Sequence, residues 1–259
     1  MRPMLRWFWL CLVAALLSAQ PDREVQWKAF LAWLSARPPD SHPANLIRPY
    51  RAELIRKGMS PVEAQRELDR LGNLAFTRPD GAKVLWNKVY GGRDPIFVQT
   101  PNALLAGSIV DRKPGKALDF GMGQGRNAVF LAMQGWDVTG FDPSDEAIRL
   151  ARADAAKAGV KIRTVVATDD RFDFGVARWD LIVMTYVRSL TARDGESIQR
   201  ALSPGGIFVY ENGSDRHNEL LKIFLPFRIL RFEDVDAFPD WNPAEKTRME
   251  RLVAEKPSE

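Results

Sequence analysis

Residues 116–142 read Lys116-Ala117-Leu118-Asp119-Phe120-Gly121-Met122-Gly123-Gln124-Gly125-Arg126-Asn127-Ala128-Val129-Phe130-Leu131-Ala132-Met133-Gln134-Gly135-Trp136-Asp137-Val138-Thr139-Gly140-Phe141-Asp142. A short apolar run over Ala117 to Phe120 meets a glycine-rich turn, a helical stretch from Arg126 to Gln134 and a second apolar run from Asp137 to Phe141. Strand, glycine turn, helix and strand in that order bring backbone amides close to a nucleotide-like ligand, because glycine alone tolerates the tight turn. The spacing is G-x-G-x-G, with Arg126 where a dinucleotide fingerprint wants its third glycine. A pyrophosphate cradle, and with it a nucleotide-cofactor oxidoreductase, is therefore the weaker reading. Asp119 at the end of the first strand suits a cationic group beside the turn. Asp142, 21 residues beyond Gly121, is placed to accept both hydroxyls of an adenosine ribose. The third strand ends in Thr168-Asp169-Asp170, where an acid can take an adenine amino group.

Working outward, apolar runs at Lys161 to Ala167, Leu181 to Thr185 and Ile207 to Glu211 alternate with helical stretches at Asp145 to Ala158, Asp194 to Leu202 and His217 to Phe224. That alternation predicts an α/β domain with parallel strands and helical crossovers. The tail differs, since Arg228 to Phe232 and Arg248 to Ala254 are joined through Pro239-Asp240-Trp241-Asn242-Pro243 and read as an antiparallel pair at the sheet edge.

Upstream, Val25, Trp27, Phe30, Leu31 and Leu34 form an apolar helical stripe over Asp22 to Ala36, stopped by Pro38-Pro39. A second helical stretch covers Leu46 to Lys57. Ser60-Pro61-Val62-Glu63 then supplies a capping hydroxyl, a proline at the first helical position and a glutamate three residues after the cap, opening a helix to about Leu71. Residues 20–83 thus form a helical extension, expected to fold onto the domain over 84–259 because its stripe is too large for about 60 residues to bury alone. Residues 1–19 carry Arg2 and Arg6, an apolar run from Trp7 to Leu17, and Ser18-Ala19 before Gln20-Pro21-Asp22. This is a signal-peptide pattern, about half the length needed to span a bilayer, so export or membrane attachment is expected, with a cytoplasmic location as the alternative.

The chain of 259 residues is 46% apolar and 27% charged, an ordinary globular composition. Its single cysteine, Cys11, lies in the leader, which excludes a disulfide framework, cysteine-ligated metals and a cysteine nucleophile from the remainder; no metal site is expected. The formal net charge of +4 divides into +8 over residues 1–116 and −4 over 117–259, so the domain with the glycine turn makes a poor phosphate-binding surface and nucleic acid is disfavoured as a partner.

The run Ala117 to Ala132, with Gly135-Trp136-Asp137-Val138-Thr139-Gly140-Phe141-Asp142, Trp179-Asp180-Leu181-Ile182-Val183 and Leu202-Ser203-Pro204-Gly205-Gly206, resembles class I S-adenosylmethionine-dependent methyltransferases, and in particular their tellurite-resistance-like small-molecule branch. The likeness covers about residues 84–255. It implies a Rossmann-like seven-stranded sheet whose last strand is antiparallel, with helices on both faces, and S-adenosyl-L-methionine as cofactor. By the same resemblance Gly121, Gly123 and Gly125 line the methionine portion, Asp119 lies beneath the sulfonium and amino group, and Asp142 holds the ribose. Asp169 and Asp170 lie at the adenine, and Asn102, in Gln99-Thr100-Pro101-Asn102, belongs to a lid over the cofactor.

Methyl transfer from a sulfonium is an in-line displacement that asks for alignment and exclusion of water, so a base is optional. Tyr186 and Arg188 after the fourth strand, and His217 after the fifth, face the carboxyl edge of the sheet and are the candidate catalytic residues. The fourth strand ends in Met184-Thr185-Tyr186-Val187 and lacks the Asn/Asp-Pro-Pro-aromatic run of nucleic-acid amino methylation. A small-molecule methyl acceptor is expected. An exported, non-catalytic ligand-binding module is the alternative, since S-adenosylmethionine is made in the cytosol.

Overall fold

The computed structural model describes residues 23–92, 97–214, 218–240 and 244–258. The leader over 1–19 and His217 lie outside them. The chain divides into two compact units at Arg93/Asp94, ten residues past the expected boundary at 83/84, because one helix runs through that position.

The first unit is helical: α1 (23–36), α2 (Pro43–Ile47), α3 (Tyr50–Arg56), α4 (Pro61–Thr77) and α5 (Pro79–Tyr90). The stretch expected as one helix from Leu46 to Lys57 is two, broken around Arg48-Pro49, since proline has no amide to continue the ladder. The Ser60 capping box forms as expected, with Ser60 Oγ accepting from the Glu63 amide and Glu63 Oε2 accepting from the Ser60 amide. α4 runs on to Thr77 rather than stopping near Leu71. Trp27, Phe30 and Leu34 are buried, whereas Val25 is 63% exposed and lies off the stripe. That stripe finds partners inside its own unit. Phe30 meets Tyr50 edge-on at 4.9 Å, and the Trp27 indole donates to Asp80 Oδ2 at 3.0 Å.

α5 supplies the missing wall. A Cβ at Gly81 would lie 2.7 Å from the Trp27 ring, 2.9 Å from Ala75 Cα and 2.9 Å from the Leu74 carbonyl oxygen. Two of these three neighbours are backbone and cannot swing aside. Gly81→Ala is therefore expected to destabilise the protein by about 1–3 kcal/mol through overpacking, outweighing the roughly 1 kcal/mol by which alanine favours a helix over glycine. Urea unfolding measures this, and an unchanged or raised midpoint would mean that α4 and α5 are less closely apposed.

The second unit holds α6 (Ala103–Ser108), β1 (Lys116–Phe120), α7 (Arg126–Met133), β2 (Asp137–Asp142), α8 (Asp145–Lys157), β3 (Arg163–Val166), β4 (Trp179–Thr185), α9 (Ala192–Ala201), β5 (Leu202–Gly213), α10 (Glu219–Ile223), β6 (Arg228–Ala237) and β7 (Thr247–Glu255). They build one seven-stranded sheet in the order β3-β2-β1-β4-β5-β7-β6. β1 through β5 pair in parallel, and β7 runs antiparallel to both of its neighbours. The tail is the expected antiparallel pair, with β7 inserted beside β5 and β6 left at the edge. β6 carries Arg228, Arg231, Glu233, Asp234 and Asp236, charges that discourage pairing with another chain.

Two cores cover the sheet faces. Leu118, Phe120, Ile182, Phe208 and Leu252 point to the side of α9 and α10, while Ala117, Val183, Val209 and Val253 point to the side of α6, α7 and α8. The strand order reverses between β1 and β4, so the crevice beyond their carboxyl ends is where an open α/β sheet binds ligands.

Candidate cofactor site

β1 is buried along all but its first residue and delivers Asp119 and then the glycine turn to that crevice. Gly121, Gly123 and Gly125 have φ of 63°, 54° and 85°, left-handed values that other residues adopt with strain. A Cβ on Gly121 would meet Val187 Cγ2 at 2.6 Å, and one on Gly125 would meet Ala151 Cβ at 2.8 Å. These two glycines thus admit the loop after β4 and helix α8. The close helix packing that the fingerprint assigns to a third glycine is made here by Gly125, which leaves the Arg126 side chain free to point elsewhere.

Asp119 is 2% exposed, and its Oδ2 has no hydrogen-bond partner. Burial pushes its carboxyl up to about 7, with Arg126 and the Ala128 amide opposing and Asp142 adding to the rise. A buried carboxylate left half-satisfied costs free energy unless a cation or donor completes it. Asp142, 6% exposed at the end of β2, accepts from the Gly123 amide at 3.0 Å through Oδ2 and from the Ser144 amide at 2.9 Å through Oδ1. Burial raises it to about 6 despite these two amides. Each oxygen keeps a lone pair for a further donor. The two acids and the glycine turn are brought together as expected.

Asp169 and Asp170 follow Ala167, whose amide donates to the Asp142 carbonyl at 3.0 Å, but among the described residues no bond from either to that pair forms. Asp169 Oδ2 takes the Arg188 guanidinium at 2.6 Å, Oδ1 accepts from the Asp170 amide at 3.1 Å, and the Asp170 side chain is exposed. Arg188 forks between Asp169 and Asp194 and is held firmly protonated by them, which makes it a clamp between the loop after β3 and helix α9.

Asn102 is the N-cap of α6: its Oδ1 accepts from the Leu105 amide at 3.1 Å and its Nδ2 donates to Glu211 at 3.0 Å and Asp240 at 3.3 Å. Donation from Asn102 Nδ2 to a cofactor requires one of its two acceptors to be released, whereas Oδ1 keeps a second lone pair. Tyr186 adopts φ 58° at the end of β4. Its hydroxyl donates to Glu211 Oε1 at 2.7 Å and accepts from the Asp240 amide at 3.3 Å. Burial and the neighbouring Glu211 carboxylate drive the phenol far above its ordinary value, so it stays protonated and is unsuited to act as a base.

Glu211, which sequence reasoning left out of the site, joins these groups. Buried at 2% exposure, it accepts from Tyr186, Asn102 and Arg251. Arg126 pairs with Asp240 at 3.1 Å, lies over the Tyr186 ring at 5.7 Å and donates to the Thr100 carbonyl at 3.2 Å. The segment before α6, the start of α7, the ends of β4 and β5, and the end of the chain leaving β6 are thereby tied into one polar network. An acid closing the apolar run Ile207 to Glu211 was the available signal.

Comparison with known proteins adds to this geometry. Residues 117–206 match the model of a methyltransferase domain family. Over 89 residues the chain is 34% identical to the probable S-adenosyl-L-methionine-dependent methyltransferase TehB of Haemophilus influenzae (strain 10810), covering 31% of this chain and 29% of that protein. Over 124 residues it is 36% identical to a ubiquinone biosynthesis O-methyltransferase of Methylobacterium sp. (strain 4-46), covering 45% and 44%. The chain thus spans less than half the length of either relative. Among solved structures, TehB from Haemophilus influenzae superposes with a TM-score of 0.53 at 19% identity, covering 68% of this chain and 67% of that one, a likeness of fold.

Proposed function

We propose that this chain, whose sheet is that of the class I methyltransferases and whose residues 117–206 belong to a methyltransferase domain family, binds S-adenosylmethionine and methylates a small molecule. The observation that carries the reading is Asp119: a buried carboxylate with one oxygen unpaired, directly beneath a glycine turn, matches a ligand that brings positive charge and amine donors. Asp142, prepositioned by two backbone amides, would accept from the ribose hydroxyls. The donor's contribution is an electrophilic methyl on a sulfonium, transferred in line to an acceptor lone pair as the carbon–sulfur bond breaks.

The chain's own residues bind, orient and keep out water. Glu211 fixes the Tyr186 hydroxyl, and the Arg126–Asp240 pair holds the chain beyond β6 next to it, so the wall past β4 is cross-linked by hydrogen bonds and an ion pair. Tyr186 is held protonated and Arg188 is clamped, so neither of these candidates serves as a base, and in this reading Asp119 and Asp142 are taken up by the donor, which favours an acceptor that is already nucleophilic or acidic. The residues at and after the end of β4, Met184-Thr185-Tyr186-Val187, and the name of the ubiquinone biosynthesis relative support a small acceptor over a nucleic acid. Incubation with methyl-tritiated S-adenosylmethionine and a panel of phenols, thiols and chalcogen oxyanions tests this. Label is expected in a low-molecular-weight product; label found only in added RNA, DNA or protein would overturn the small-molecule reading.

A further inference from the structure

The connection from β3 to β4, residues 167–178, contains no helix, although a crossover between parallel strands ordinarily lays one over the sheet. Phe172 and Phe174 cover that face instead. Phe172 stacks on Phe141 at 4.2 Å, and Phe174 lies 5.7 Å from Phe120. Both stay only half-buried, because two rings cannot fill the width of a helix. Between them and α9 a cleft of about 420 Å³ remains open, within the range of small-molecule sites.

Its two walls differ in chemistry. The loop side presents aromatic rings, with Asp170 at its margin; the α9 side presents Arg193, Ser197 and Arg200, which at spacings of four and three share one helix face. Both arginines are exposed, and among the described residues neither side chain has a hydrogen bond or ion pair. Arg188 closes the cleft from within, but its charge is spent on Asp169 and Asp194.

We propose that this cleft is a second small-molecule site, taking a flat aromatic ring that carries an anionic group, with the ring against Phe172 and Phe174 and the anion held by Arg193 and Arg200. Offset or edge contacts suit the rings, and guanidinium forks suit a carboxylate, sulfonate or phosphate. None of Asp119, Gly121, Gly123 or Asp142 lines it, whereas Asp169 and Asp170, which the resemblance places at the adenine, do; the site is proposed as distinct from the donor's, and competition with S-adenosylhomocysteine tests that distinction.

The test is calorimetric titration of the full chain with 2-naphthoate, and with the neutral 2-naphthylmethanol as its control, in the presence and absence of saturating S-adenosylhomocysteine. Naphthoate is expected to bind about tenfold or more tightly than the alcohol, and to lose about tenfold in Arg193→Gln/Arg200→Gln, as charge-assisted hydrogen bonds imply. Circular dichroism checks that this surface variant folds, and its affinity for S-adenosylhomocysteine should be unchanged. Absence of naphthoate binding, equal affinity for the alcohol, equal affinity in the double variant, or displacement by S-adenosylhomocysteine would each overturn the proposal. The alcohol comparison needs only the wild-type chain and decides the matter even if the variant misfolds.

Discussion

Asp119→Asn is expected to make the ligand-free protein more stable at pH 8 and at the same time to remove most of its affinity for S-adenosylmethionine. In the folded chain burial holds the Asp119 carboxyl at about 7, against an ordinary value of 3.8. Below pH 3.8 both folded and unfolded chains carry the proton. As pH rises from there to 7 the unfolded chain releases it while the folded chain retains it, so stability falls across this window and stays low above it. A difference of about three pH units corresponds to about 4 kcal/mol. Asparagine is neutral at every pH in this range and still offers an oxygen to the Ala128 amide, so it escapes that cost. The gain in urea midpoint should be large at pH 8 and vanish toward pH 4. The same substitution deletes the buried negative charge facing the ligand, and an affinity loss of at least about tenfold is expected from removing one charge-assisted contact. A variant no more stable at pH 8, or one that binds as wild type does, would show that Asp119 is neither strained nor facing a cation.

Glu211→Ala should have the largest effect in the opposite direction. Removing this carboxylate leaves the Tyr186 hydroxyl and the Asn102 amide each short of an acceptor and strips the three-quarters-buried Arg251 of one of its two acidic partners, Glu233 remaining. Breaking a buried ion pair from one side typically costs about 3–5 kcal/mol, and the surviving Glu233 contact places the expectation at about 3 kcal/mol. Glu211→Gln keeps one acceptor oxygen, enough for Tyr186 or for Asn102 but not for both, and should lose less than alanine. Equal losses for the two variants, or a loss below about 1 kcal/mol for alanine, would mean that the network is not held through this residue.

The alternating domain was readable because its signals are local. An apolar run, a glycine turn and a helix periodicity are each contained within a few residues, and all seven strands fall where the residue pattern puts them, within five residues at either end. Asp119 and Asp142 were readable for the same reason: strand ends fixed their positions on the crevice. What depended on distant partners was not. α5 opens with Arg78-Pro79-Asp80-Gly81, a composition typical of turns, and its helix is held by Trp27 some fifty residues earlier. Asn102 is committed to Glu211 across 109 residues, and Asp169 to an arginine that equally serves α9. Glu211 reads as the last residue of a strand, and only the assembled sheet places Tyr186, Asn102 and Arg251 around it. The order of β6 and β7 likewise follows from which strand covers the β5 edge, a choice made by packing on both faces.

The measurement that tests the central claim most directly is calorimetric titration of the wild-type chain with S-adenosylhomocysteine and with NAD, between pH 5.5 and 8, with Asp142→Ala alongside. One-to-one binding of S-adenosylhomocysteine is expected. Affinity should rise with pH through about 6 to 7 and level off above, because amine and ribose donors favour the ionised forms of Asp119 and Asp142, both protonated below that window. Asp142→Ala should weaken binding by about 1–3 kcal/mol. Binding of NAD with no response to S-adenosylhomocysteine, or affinity for S-adenosylhomocysteine that ignores both pH and Asp142, would contradict the account.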